Sequence, residues 1–258
     1  IERVYADRRI ADELVSRVVE KTRRLRQGDP LAEATDLGPM TTAEQRDFVD
    51  AQVREALAQG ARALTGGERP AAKGNWFPPT VLVDVHNGMR VMTEETFGPV
   101  LPIAVVDSLH EAIAGANDSE FGLTASGWTR STRTARKLVE ELRAGTVTIN
   151  DHLFSFGEPT ATWGGLGKSG IGRSHGVHGL MELVNVKHVS VDLQESSAAP
   201  WWYPYDGGFQ AFMKKAFGLL YARDAKTKMT DGLGLLASGR FFGYVKVSKI
   251  ATKLGKVF

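Results

Sequence analysis

Thr93-Glu94-Glu95-Thr96-Phe97-Gly98-Pro99-Val100, running on into Leu101-Pro102-Ile103-Ala104-Val105-Val106, decides the fold. Two adjacent acids precede an aromatic residue and a Gly-Pro corner, and an almost uninterrupted apolar run follows. Such a run fits a strand buried on both faces, as in parallel sheets. The Gly-Pro corner stiffens the backbone at a sheet edge, where α/β proteins usually hold ligands. A carboxylate there can accept hydrogen bonds from ribose hydroxyls, and the Phe97 ring can pack on a planar cofactor ring. The plain alternative is a solvated acid pair ahead of a strand, with Phe97 in the core.

On either side of this stretch, extended and helical segments alternate. Glu2 to Ala6 reads as a short strand. Ile10 to Leu25 places Ile10, Leu14, Val15, Val18, Val19 and Leu25 near helical spacing and stops at Gly28-Asp29-Pro30. Thr41 or Thr42 opens a helix to about Gln59, with Glu44 or Gln45 to complete a capping box. Arg62 to Thr65 is a strand. Gly74 to Val85 is extended, first by its prolines and then by β-branched residues. Leu109 to Ala116 is helical, and Asn117-Asp118 ends it. Ala125 to Thr129 and Thr146 to Asn150 are strands around a helix from Ser131 to Leu142. A long loop then reaches Gly176, Val177 to Val184 is a short helix, and Lys187 to Leu193 alternates as a final strand. This alternation predicts an α/β fold: an open, mainly parallel sheet with flanking helices.

Composition narrows the chemistry. The chain has 258 residues, 42% hydrophobic and 24% charged, with a formal net charge of +2. That is globular composition with no polyelectrolyte character, so no nucleic-acid partner is expected. No apolar run is long enough to span a bilayer, and Ile1 to Arg9 lacks the apolar core of a signal peptide. The chain starts at Ile1 rather than methionine, which reads as a truncated or processed start. With 0 cysteines, disulfides, thiolate metal sites and thiol nucleophiles are excluded within these residues. His175 and His178 are not spaced as a zinc pair, so no metal site is expected.

Gly165-x-Gly167-x-x-Gly170 satisfies the dinucleotide fingerprint literally, and Asp192 lies near its acidic position. The fingerprint must follow a strand directly, whereas Asp151 to Thr162 intervenes with prolines and bulky aromatics. A phosphate-binding loop at Gly167-Lys168-Ser169 fails because Thr162 occupies its first glycine. These glycines read instead as places where the backbone passes close to another element.

Glu94-Glu95-Thr96-Phe97-Gly98-Pro99 is similar to the Glu-Glu-x-Phe-Gly-Pro signature of the aldehyde dehydrogenase family. Other family-like stretches stand around it in the family's order: Glu2-Arg3-Val4-Tyr5, Gly28-Asp29-Pro30, Leu37-Gly38-Pro39, Gly66-Gly67, Pro79-Thr80-Val81-Leu82, Ala116-Asn117-Asp118, Phe121-Gly122-Leu123, Ala144-Gly145-x-Val147-x-Ile149-Asn150 and Gly164 to Arg173. The resemblance covers Ile1 to about Leu193. It implies oxidation of an aldehyde to a carboxylic acid with NAD or NADP, through a cysteine thioester hydrolysed by glutamate-activated water. It places that cysteine a few residues upstream of Ile1 and the general-base glutamate further upstream, so no catalytic residue is expected in this chain.

The resemblance matches Glu95 to the glutamate that binds the nicotinamide-side ribose, Phe97 to the aromatic beside the nicotinamide, and Gln45 to a contact on the adenosine side. Phe154, Phe156 and Trp163 lie in the loop lining the family's aldehyde tunnel, though ordinary loop packing also accommodates them. Ser174 departs from the family, where an acidic residue commonly follows the arginine, and leaves the partner of Arg173 open.

The expected organisation is a catalytic domain over residues 1–185, an oligomerisation strand over 186–194 and a helical, basic, aromatic extension over 195–258. A small-molecule aldehyde and a homo-oligomer are the expected partners, in the cytoplasm. The extension combines Lys214, Lys215, Arg223, Lys226, Lys228, Arg240, Lys246, Lys249, Lys253 and Lys256 with an apolar face of Phe209, Phe212, Met213, Phe217, Leu219 and Leu220. That pattern fits a membrane-surface helix or a helical appendage packed on its own dimer. The competing reading of the whole chain is a non-catalytic split or degenerate module that binds a partner subunit or a membrane surface.

Overall fold

The computed structural model describes residues 2–152, 154–189, 191, 203 and 205–238. Contacts divide the chain into Ile1–Asn185 and Val186–Phe258. In chain order the first unit contains β1 (Val4–Asp7), α1 (Arg8–Arg23), α2 (Ala43–Ala58), β2 (Arg62–Thr65), β3 (Thr80–Val83), the single turn α3 (Arg90–Thr93), β4 (Val100–Val106), α4 (Leu109–Asn117), β5 (Thr124–Gly127), α5 (Thr132–Glu141), β6 (Thr146–Ile149), the single turn α6 (Phe154–Gly157) and α7 (Gly176–Met181).

The motif-bearing strand β4 is central in a four-stranded sheet of order β1-β4-β3-β2. It runs parallel to β1, with Val4 opposite Ile103, and parallel to β3, with Thr80 opposite Val100. Successive side chains of a strand point to opposite faces. Ile103, Leu101 and Val105 therefore join Val81, Ala6 and the α1 residues Leu14, Val15, Val18 and Val19 on one face. Val100 and Ala104 join Leu82, Phe77 and the α2 residues Val49, Val53 and Ala56 on the other. Both faces are covered, which is why β4 reads as a continuous apolar run rather than an alternating one. Ile103, Leu82 and Phe77 are fully buried, and each contributes roughly 1.5–3 kcal/mol relative to exposure.

The sheet is mainly parallel as expected; two of its features lie beyond the sequence reading and one segment departs from it. The edge strand β2 runs antiparallel to β3. The unit β5-α5-β6 forms its own two-stranded parallel ladder, with Thr124 opposite Thr146, rather than continuing the larger sheet. Residues 185–189 form no strand; of the expected strand to Leu193, Ser190, Asp192 and Leu193 lie outside the described residues, as do the linker from Ser196 to Pro200, Trp201, Trp202 and the basic residues from Arg240 onward.

Caps set the helix starts. Thr42, Ser108 and Ser131 each accept a hydrogen bond from the amide three residues on. The capping box does not close, because the Gln45 side chain turns away to the carbonyl of Thr96. Asp7 caps α1 by accepting from the Arg9 amide at 2.9 Å, and the Arg9 guanidinium holds it at 2.6 Å. The Arg9 side chain, and then its amide, pull the Asp7 carboxyl down to about 2 from an ordinary 3.8. A depressed carboxyl stabilises the fold above its unfolded value and stops doing so as pH falls through its folded one. Asp7→Ala should therefore lower the melting temperature at pH 7, and the difference from wild type should shrink between pH 4 and pH 2. An equal difference across pH would remove the charge from this cap.

In the second unit, α8 (Gly207–Tyr221) and α9 (Ala225–Leu236) pack on each other, capped by Asp206 and Asp224. Leu235 is buried, while Phe217, Leu220 and Tyr221 of α8 and Met229, Leu233 and Leu236 of α9 are exposed. No described helix is long and apolar enough to cross a membrane.

Candidate cofactor and substrate loops

The Glu94–Pro99 loop enters β4 at its amino end. Ligand sites of doubly wound sheets lie at carboxyl ends, so that rule does not account for this loop; its own bracing does. Glu94 faces Arg90 at 2.9 Å and accepts from Gln52 at 3.4 Å. The Arg90 hydrogen bond holds the Glu94 carboxyl below the usual range. Thr96 is buried, its carbonyl accepts from Gln45 Nε2 at 2.7 Å, and its amide donates to Glu2 Oε2 at 3.1 Å. The Phe97 amide donates to Glu2 Oε1 at 3.4 Å. Gly98 lies against α2, where an added Cβ would stand 2.7 Å from Val49 Cγ2. The Pro99 carbonyl accepts from the Thr80 amide at 2.8 Å and so ties the loop to β3.

Two side chains are left facing outward. Glu95 is exposed and has no hydrogen bond or ion pair among the described residues. Phe97 is 71% exposed rather than in the core, and its backbone sits at φ +42. A non-glycine residue in this left-handed region is held at a cost of roughly 1–2 kcal/mol, which the surrounding bonds must offset.

The second candidate region is the loop from Asn150 to Gly176. Phe156 and Trp163 meet edge to face at 5.4 Å between centroids, with His175 6.0 Å from Phe156. Phe154 is 70% exposed and makes no ring contact among the described residues. Trp163 and Ser174 exchange backbone hydrogen bonds at 2.9 and 2.7 Å. The glycine-rich run between them does not open a helix; α7 starts only at Gly176. It is pinned to the turn before β6 through the Gly122 carbonyl, which accepts from Gly145 at 2.9 Å and Leu166 at 3.0 Å. The guanidinium of Arg173 donates to the carbonyls of Gly165 and Gly172 at 3.1 and 2.6 Å, so backbone takes the place of the acid absent at Ser174. Trp163, Leu123, Ser169, Arg173 and Glu182 are among the residues around an open cavity of about 360 Å³.

A third cluster is structural. Arg3 donates to the carbonyl of Ala116 at 3.1 Å, and Asn87 donates to Gly115 at 3.0 Å and Asp118 at 3.1 Å. The Tyr5 hydroxyl lies 2.8 Å from the Gly115 carbonyl, and burial raises its pKa. These groups satisfy carbonyls that the end of α4 leaves open. They also bring two stretches distant in sequence, Glu2-Arg3-Val4-Tyr5 and Ala116-Asn117-Asp118, into contact. The roles of Glu2, Gln52 and Arg90 around the loop were not read from the sequence. Only the Arg90–Glu94 spacing of four residues on a helix gave a local signal.

The model of the aldehyde dehydrogenase family matches residues 1–189. The lactaldehyde dehydrogenase of Escherichia coli strain K12 is 40% identical over 190 residues, covering 73% of this chain and 39% of that protein. A putative succinate-semialdehyde dehydrogenase (NADP(+)) 2 of Mycobacterium ulcerans is 39% identical over 192 residues, covering 74% of this chain and 37% of that one. A crystal structure of betaine aldehyde dehydrogenase from Staphylococcus aureus in complex with NAD+ superposes with a TM-score of 0.72 at 30% identity, over 79% of this chain and 42% of that one. The chain thus spans about two fifths of the length of the relatives it matches. With its motif loop, its glycine-rich loop and the strands that hold them, it belongs to the aldehyde dehydrogenase family.

Proposed function

We propose that this chain supplies the cofactor-facing and aldehyde-facing loops of an NAD(P)+-dependent aldehyde dehydrogenase. The observation that carries the reading is the Glu94–Pro99 loop, whose backbone is braced while the side chains of Glu95 and Phe97 are exposed and, among the described residues, without a polar partner. A free carboxylate beside an exposed ring fits a ribose hydroxyl beside a planar ring. NAD(P)+ is the hydride acceptor of the reaction. Glu95 accepts hydrogen bonds from the nicotinamide-side ribose, and Phe97 packs beside the nicotinamide. Gln45 braces the loop and, on the resemblance, stands toward the adenosine half. Phe154, Phe156 and Trp163 line the aldehyde's path. The names of the two relatives point to a small polar aldehyde as substrate. Residues 186–194 would pair across a homo-oligomer interface.

The nucleophilic thiol must come from outside these 258 residues, which hold 0 cysteines. The chain alone, incubated with NAD+ or NADP+ and an aldehyde panel, should give no absorbance of reduced cofactor above buffer. Turnover by the chain alone would overturn the assignment of the nucleophile, and its absence from a thiol-bearing enzyme would overturn the reading as a whole.

One observation favours a second role for the extension. Phe217, Leu220 and Tyr221 form an exposed apolar stripe on α8, with Lys214 beside it. On an anionic bilayer each basic residue near the surface contributes roughly 1 kcal/mol, largely screened at high salt. The full chain should co-sediment with anionic vesicles at low salt and a chain ending at Leu193 should not. Equal sedimentation of both removes this role.

A further inference from the structure

We infer that Glu2 is a positioning residue for the cofactor-facing loop: one carboxylate, just ahead of β1, holds the amides of Thr96 and Phe97 and so fixes how Glu95 and Phe97 are presented. The inference rests on the proposed role of that loop and deepens it.

The parallel register makes the contact possible. Val4 stands opposite Ile103, so the residues entering β1 run beside those entering β4. Glu2 lies two positions before Val4, and its carboxylate reaches the loop ahead of Val100. Its two oxygens are used separately, Oε2 by the Thr96 amide at 3.1 Å and Oε1 by the Phe97 amide at 3.4 Å. Thr96 is buried, so its amide would otherwise lack both water and a partner, an expensive state. Phe97 is in the left-handed region, where successive amides converge and favour an anion. The Thr96 carbonyl is meanwhile held by Gln45 at 2.7 Å. Thr96 is gripped at both ends of its residue, by β1's entry on one side and α2 on the other. Glu95 and Phe97, its two neighbours, inherit that fixed frame. A neutral or shorter side chain at position 2 leaves the loop attached to α2 and β3 but free to swing at the point where Glu95 and Phe97 are set.

The test begins with amide hydrogen exchange on the 258-residue chain. Glu2→Ala should speed exchange at Thr96 and Phe97 on the order of tenfold while the amides of β4 keep their protection. Glu2→Gln, which retains one acceptor oxygen, should fall between. In the enzyme carrying its thiol segment, Glu2→Gln should raise KM for the cofactor roughly three- to tenfold, because fewer molecules hold the loop in place. At saturating cofactor kcat should fall less than about twofold, and the melting temperature should stay near wild type. Unchanged exchange at both amides, acceleration spread equally through β4, or an unchanged cofactor KM would overturn the inference. The exchange result reads the brace without any turnover, so an inactive wild-type enzyme would sink the dehydrogenase reading and leave the brace to be decided on its own.

Discussion

Gly145→Ala is expected to destabilise the first unit by about 3 kcal/mol, a fall of roughly 6–12 °C in melting temperature for a domain of this size. An added Cβ would stand 1.6 Å from the Gly164 carbonyl oxygen and 2.7 Å from its carbon. Both are backbone atoms, so no flexible side chain can give way. Separating the two strands of chain breaks more than one contact. The Gly145 amide donates to Gly122 at 2.9 Å, and the same carbonyl accepts from Leu166 at 3.0 Å. The glycine-rich loop, with Trp163 at its start, should therefore loosen along with the turn before β6. Gly157→Ala is the matched control, since its added Cβ would meet nothing within 4 Å, and it should stay within about 0.5 kcal/mol. Calorimetry of both variants decides, and a Gly145→Ala melt close to that of Gly157→Ala would mean the two backbone segments are not in contact.

Gly145 was legible only in part. The sequence marks it as a glycine in a family-like stretch and marks Gly164 as another, but nothing local says that the two meet. The same division holds across the fold. Helix starts were legible because their signal is local: Ser131 caps α5 and Thr42 caps α2 within three residues. The burial of β4 was legible because a strand covered on both faces must be apolar throughout. The antiparallel edge of β2 and the separate β5-β6 ladder were not, since pairing direction depends on where the chain returns. The Gln45 side chain is the sharpest case. Its position fits a capping box, yet the buried carbonyl of Thr96 is a partner 51 residues away that no local pattern reveals. Glu2 was legible as the start of a stretch and illegible as a brace for the same reason. The glycine-rich run shows the converse. Its fingerprint spacing is present in the sequence, but the run opens no helix and its backbone instead packs on the Gly122 carbonyl beside Gly145.

Glu94 and Glu95 are adjacent and chemically identical, so substituting each in the thiol-bearing enzyme tests the structural carboxylate against the proposed cofactor-binding one. Glu95→Gln should slow hydride transfer about 10²-fold with little change in melting temperature. The carboxylate is exposed and unpaired among the described residues, so its loss removes no fold contact and should stay within about 0.5 kcal/mol. In the proposed complex it would fix the ribose. A charged hydrogen bond of that kind contributes roughly 1.5–3 kcal/mol, and a displacement near 1 Å at the reacting atoms costs a comparable factor in rate. Glu94→Gln should do the reverse. It removes the 2.9 Å pair with Arg90, whose side chains are 39% and 42% exposed, so the loss in stability is about 1 kcal/mol or less. The rate per folded molecule should hold, because Glu94 faces α3 and not the open side of the loop. Single-turnover formation of reduced cofactor and thermal melting of both variants supply the two axes. Normal turnover with a lowered melting temperature in Glu95→Gln would return Glu95 to the fold, and a large rate loss in Glu94→Gln would show that the loop's bracing, rather than the carboxylate it presents, sets the rate.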